Sequence, residues 1–164
     1  RRSEELPFAT PAIACWVPGE ADAATHLGVA HYLLKPISRE SLLAALDTVE
    51  QPLRTVLVVD DEAEALQLFG RMLAASGRGY RVLKAADGAQ ALEMMRQRRP
   101  DVVLLDLVMP GMDGYAVIRQ MRADATLREL PVIADERIAG LIAGKQVIKV
   151  VYVPKKLVNI VVPG

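Results

Sequence analysis

Residues 100–114 read PDVVLLDLVMPGMDG. Pro100 closes the helical pattern that precedes it. The run that follows, Val102 to Leu105, is apolar throughout, as in a strand buried on both faces. Asp106 ends that run, where an unpaired charge would be costly to bury, so its carboxylate calls for a partner. Met109, Pro110, Gly111, Met112, Asp113 and Gly114 then form a tight loop. It leads into a helix that turns Val117, Ile118 and Met121 inward.

Working outward, the same grammar repeats. Residues 55–59 (TVLVV) are a second continuous apolar run, ending at Asp60 and Asp61. A helical pattern over 62–76 carries Leu66, Phe69, Met72 and Leu73, with Gly77 as its stop. Residues 80–85 read as a strand, and Asp87-Gly88 turns the chain into a helix with Ala91, Leu92 and Met95 on one face. Residues 131–134 (PVIA) begin a further strand, the fourth of this series. Such alternation implies right-handed crossovers and a parallel sheet with helices on both sides.

In an open sheet of this kind, ligands bind beyond the carboxyl ends of the strands, at the switch in strand order. In the order 2-1-3-4-5 that switch brings Asp60, Asp61 and Asp106 together. Asp60-Asp61 alone would also serve as an acid pair favoured by a helix N-terminus. The joint pattern with Asp106 is the stronger signal. Three carboxylates at close range repel, so the cluster needs a cation or raised pKa values. Oxygen-only ligands suit Mg²⁺, which shares its coordination with phosphoryl oxygens. A carboxylate nucleophile can then form an aspartyl phosphate, with a lysine ammonium balancing the remaining charge.

Composition narrows the alternatives. The 164 residues are 52% hydrophobic and 24% charged, which excludes a disordered chain. Twenty basic residues offset 20 acidic ones and only 4% are aromatic, against bulk nucleic-acid binding and base-stacking platforms. A single cysteine, Cys15, excludes a disulfide framework or a multi-cysteine zinc site. Asp106, Lys149 and Lys155-Lys156 interrupt the most apolar stretches before any reaches membrane-spanning length. No signal-peptide pattern follows Arg1, so the expectation is a cytoplasmic chain, cut or processed at its N-terminus, with no membrane partner.

Two flanking blocks differ from the middle. Residues 11–17 (PAIACWV) can be a strand, 19–27 a short helix, and 31–34 a strand ending at Lys35-Pro36. Ser38 can cap a helix carrying Leu42, Leu43, Leu46 and Val49. At the other end a helix is expected over 135–145. Two β-branched runs, 147–153 and 157–162, then form a hairpin around Pro154, Lys155 and Lys156. After Glu136 no acid occurs, while Arg137, Lys145, Lys149, Lys155 and Lys156 leave the tail basic. The expected divisions are 1–52, 53–134 and 135–164. His26 and His31 read as ordinary packing rather than phosphotransfer groups.

VLVVDDE at 56–62, ADG at 86–88 and the 100–114 segment together resemble the receiver domain of bacterial response regulators. The resemblance covers about residues 53–134. It implies a flavodoxin-like fold in which Asp106 accepts phosphate from a histidine kinase or phosphotransfer protein. It implies also that Asp60, Asp61 and Asp106 hold Mg²⁺, that Val108 ligates through its backbone carbonyl, and that the module is not an enzyme. The likeness departs after PVIA: a receiver continues with an apolar residue and then Thr or Ser, where this chain has Asp135 and Glu136.

HYLLKPISRESLLAAL at 31–46 resembles the fifth strand, Lys-Pro step and last helix of a receiver, with Lys35 as the matching lysine. In that block Trp16 occupies the hydroxyl slot of the fourth strand. Either the block is the remnant of a preceding receiver in a tandem array, or it completes a permuted receiver by supplying the fourth and fifth strands. The second is favoured, because a sheet ending at its third strand would expose an apolar edge. Residues 11–17 and 131–134 then compete for one slot, which suggests a homodimer formed by strand exchange. Lys155 is a rival phosphoryl partner, ranked second to Lys35.

The tail segment GKQVIKVVYVPKKLVNIVV at 144–162 resembles the extreme C-terminus of bacterial leucyl-tRNA synthetases. That likeness implies tRNA contact through its lysines, ranked below a structural hairpin. Two resemblances in one short chain also raise the alternative of an engineered or recombined chimera with a receiver-like fold and no signalling output.

Overall fold

The computed structural model describes residues 12–13, 24–25, 27–137, 149–153 and 157–161. In chain order the strands are β1 (Ala12–Ile13), β2 (His31–Lys35), β3 (Thr55–Val59), β4 (Arg81–Ala85), β5 (Val102–Asp106), β6 (Val132–Arg137), β7 (Lys149–Val153) and β8 (Leu157–Val161). The helices are α1 (Arg39–Asp47), α2 (Ala63–Ala74), α3 (Gly88–Arg98) and α4 (Gly114–Ala123). Two compact units emerge, Glu20–Arg137 and a smaller one containing β1, β7 and β8.

The larger unit holds a five-stranded sheet in the order β2-β6-β5-β3-β4, with every neighbouring pair parallel. Alternate residues along each strand serve different faces. Val56, Val58, Val102, Leu104 and Ile133 pack with Leu42 and Leu46 of α1 and with Phe69 and Leu73 of α2. Leu57, Val59, Val103, Leu105 and Val132 pack with Leu92 and Met95 of α3 and with Val117 and Met121 of α4. Both faces being covered explains why these strands read as unbroken apolar runs rather than alternating ones.

The helix boundaries follow local chemistry. Ser38 Oγ accepts the Ser41 N–H, Asp87 Oδ1 that of Gln90, and Asp113 Oδ1 that of Ala116. At the end of α3, Arg99 adopts a left-handed conformation (φ 45°), just before Pro100.

Two sequence expectations need correction. The fourth-strand slot between β5 and β2 is filled by β6, not by residues 11–17. Of the latter, Ala12 and Ile13 instead pair antiparallel with Val161 and Ile160. The helix expected over 135–145 does not begin at Asp135, because Asp135, Glu136 and Arg137 continue β6. The physical reason is pairing on both edges: β6 lies against β5 through Asp106↔Asp135 and against β2 through Lys35↔Arg137. Two ladders outweigh the weak local preference of a polar tripeptide. Residues 138–145 lie outside the described residues, as do Cys15, Trp16, His26 and Lys155.

In the smaller unit β8 is central, antiparallel to both β1 and β7. The β7–β8 pairing runs from Lys149↔Val161 to Val153↔Leu157, as expected for a hairpin. Among the described residues no helix is long and apolar enough to cross a membrane.

Candidate functional site

The carboxyl ends of β2, β3, β5 and β6 carry four charged side chains into one place. Lys35 is the last residue of β2, Asp60 follows β3, Asp106 ends β5 and Asp135 lies within β6. Asp60, Asp106 and Asp135 are all buried, 1%, 4% and 1% exposed. Lys35 Nζ donates to Asp60 Oδ2 at 2.9 Å and to Asp106 Oδ2 at 2.7 Å. It also lies 2.9 Å from Asp135 Oδ1, but that oxygen lacks hydrogen-bond geometry, so the contact is ionic.

The other carboxylate oxygens of Asp60 and Asp106 are held by backbone. Asp60 Oδ1 accepts the Glu62 N–H at 2.8 Å, and Asp106 Oδ1 accepts the Val108 N–H at 2.9 Å. Asp61 is exposed. It offers one oxygen that lies within 4.8 Å of oxygens from Asp60 and Asp106. This all-oxygen set, two buried carboxylates and one facing solvent, fits a hard divalent cation with room for water ligands. Val108 follows Asp106 by two residues and is 44% exposed.

The loop below the site is anchored by close backbone approach. Gly114 N donates to Leu107 O at 3.1 Å. A Cβ on Gly114 would stand 2.4 Å from Asp106 O and 2.7 Å from Leu107 Cα. Gly111 takes a positive φ of 75° at the turn.

Electrostatics reflect the crowding. Burial pushes Asp135 up to about 7, against the pull of Lys35 and with the help of Asp106 and Asp60. Burial likewise raises Asp106 above the ordinary carboxylate range, although Lys35 and the Val108 N–H oppose it. Lys35 loses solvation as well, yet Asp135, Asp106 and Asp60 outweigh that loss and hold it above the usual lysine value.

A carboxyl that binds its proton more tightly folded than unfolded stabilises the fold while protonated. That contribution disappears as pH rises through the folded value. The metal-free protein should therefore melt lower at about pH 8 than at about pH 5, and Asp135→Asn should flatten the decline. Lys35 contributes equally across this window, since its pKa lies above it. Thermal melts that stay level or rise with pH in the wild type would contradict this balance.

The structure brings Asp60, Asp61, Asp106 and Lys35 together, as their strand-end positions imply. Asp135 is the site residue that sequence reasoning missed. The available signal was an acid directly after the apolar run 132–134, the same criterion that singled out Asp106.

The chain is similar to known proteins in sequence and in structure. Residues 56–149 match the family model of the response regulator receiver domain. Protein PilH of Pseudomonas aeruginosa is 41% identical over 78 residues, 48% of this chain and 63% of that protein. The probable transcriptional regulator ycf27 of Guillardia theta is 44% identical over 94 residues, 54% of this chain and 36% of its own length. The chain thus spans less than two thirds of either relative. Among solved structures, the N-terminal domain of a response regulator receiver protein from Methanoculleus marisnigri JR1 is similar with a TM-score of 0.48 and 37% identity. That likeness covers 51% of this chain and 66% of the other. Because the family match spans more than half the chain and includes β3, β5 and β6 with their carboxylates, this protein belongs to the response regulator receiver domain family.

Proposed function

We propose that Asp106 is the phosphoacceptor of a two-component relay, served by a histidine kinase or phosphotransfer protein. The observation that carries this reading is the environment of one buried carboxylate. Asp106 is hydrogen-bonded to Lys35 Nζ at 2.7 Å and belongs to a cluster of three acids that fits a divalent cation. An Asp106 oxygen attacks the phosphorus of a phosphohistidine. The P–O bond forms as the P–N bond breaks, and the electron pair leaves on the imidazole nitrogen. Lys35 places its ammonium where charge builds on the phosphoryl oxygens. Mg²⁺, held by Asp60, Asp61, Asp106 and the Val108 carbonyl, supplies further charge neutralisation when bound. The module accepts a phosphoryl group without turning over a substrate of its own, and cytoplasm is the compartment such a partner implies.

The same reading takes the chain as a permuted receiver. Residues 20–52 correspond to the last strand and helix of a receiver, here β2 and α1, and 53–137 to the four strands before them, with the smaller unit appended. The parallel pairing of β2 with β6 supports it. A second copy is not needed to complete the sheet, since β6 and β2 come from the same chain.

Beryllofluoride with Mg²⁺, a phosphoryl mimic, should shift the backbone amide resonances of Val108, Gly111 and Gly114, while Asp106→Asn stays silent. A wild-type protein that gives no shift would overturn the assignment, as would an equal response from the variant.

A further inference from the structure

The contacts around Lys35 include one carboxylate more than phosphoryl acceptance uses. Asp60, Asp61 and Asp106 form the cluster that suits a cation. Asp135 stands outside it, 1% exposed, with Oδ1 2.9 Å from Lys35 Nζ. Its place beside Asp106 is fixed by backbone: the two residues are register partners, and Leu107 N donates to Asp135 O at 2.9 Å.

Taking Asp106 as the phosphoacceptor, we infer that Asp135 is a positioning residue that acts through Lys35, an internal competitor that draws the ammonium away from the incoming phosphoryl group. An ammonium has three N–H donors, and three carboxylates already surround this one. Phosphoryl oxygens on Asp106 take over that residue's own contact and compete with Asp60 and Asp135 for the ammonium. Asp135 is the contact without hydrogen-bond geometry, so it is the first to be given up. Giving it up obliges Asp135 to take up a proton or to stay charged without its counter-ion, next to a group that has gained negative charge. Asp135 therefore holds the site in its unphosphorylated arrangement, and removing its charge releases Lys35.

The test titrates beryllofluoride in saturating Mg²⁺, and separately Mg²⁺ alone, into wild type, Asp135→Asn and Asp135→Leu, following the Val108 and Gly114 amides. Thermal melts establish that each variant is folded, and the leucine variant keeps the test open if the asparagine variant is not. The expected result is beryllofluoride affinity about tenfold higher or more in either folded variant. Mg²⁺ affinity should not rise, because Lys35 then leans wholly on Asp60 and Asp106. Beryllofluoride affinity that is unchanged or lower in the variants, with wild-type binding intact, overturns the inference. So does a parallel rise in Mg²⁺ affinity, which would mark general loosening of the site. Failure of all three proteins to bind beryllofluoride instead overturns Asp106 as the phosphoacceptor.

Discussion

Replacing Lys35 by methionine should destabilise the metal-free domain by about 3–5 kcal/mol, the usual consequence of removing one partner from a buried ion pair. The side chain of Lys35 is 10% exposed, and its ammonium is the shared counter-ion of Asp60, Asp106 and Asp135. Methionine replaces the apolar stem atom for atom and deletes only the ammonium, so most of the packing around β2 is preserved and the loss is mainly electrostatic. Three carboxylates left at close range must then take up protons or separate. Mg²⁺ should restore part of the stability, because it binds only the folded arrangement. Urea unfolding with and without Mg²⁺ measures both effects. A metal-free variant that unfolds at the wild-type midpoint would show that Lys35 is not what holds the three acids together.

Gly114→Ala is the second large effect, and its cause is space rather than charge. The added methyl would meet Asp106 O at 2.4 Å and Leu107 Cα at 2.7 Å, both backbone atoms in the core of the site. Leu107 is fully buried, so neither the helix start nor the strand end can step aside freely. A loss of about 2–3 kcal/mol is expected, in the range for overpacking a tight interior. Because the methyl presses on the peptide of Asp106 itself, Mg²⁺ affinity should fall as well. Gly111→Ala is the contrasting case, with open space around its Cβ but a φ of 75°. It should cost about 1 kcal/mol through backbone strain and leave Mg²⁺ binding largely intact. Equal stability and metal affinity in the two variants would refute the close-approach argument.

Much of the site was legible because strand ends can be read from apolar runs. TVLVV followed by Asp60-Asp61 and VVLL followed by Asp106 place three acids at the carboxyl edge of a parallel sheet. Lys35 was legible for the same reason, as the end of HYLLK. The fourth strand was not. Residues 11–17 and 131–134 share one apolar pattern, and pattern alone cannot choose between them. The choice is made by pairing with β5 and β2 on both edges, which is a long-range property. Asp135 is hidden because a Thr or Ser pattern marks it as a departure rather than as a charge at a buried strand end. Ser38, Asp87 and Asp113, by contrast, cap their helices through bonds that span only three residues. Such local chemistry survives translation from sequence to structure.

The pairing of β2 with β6 ties the order of folding to the electrical balance of the site. Strands β3, β4, β5 and β6 follow one another through successive helical crossovers, whereas His31 must find Ile133 across nearly the whole of the larger unit. Contacts of such high sequence separation carry the greatest loop-closure entropy and form late. Asp60, Asp106 and Asp135 all belong to the part that can assemble first, while their counter-ion Lys35 arrives with the last strand. Docking of the edge strand and neutralisation of the acids are therefore a single event. Any partial opening that releases β2 carries the ammonium 71 residues along the chain from Asp106 out of the site as well, so local unfolding at this edge and loss of phosphoryl competence share one free energy.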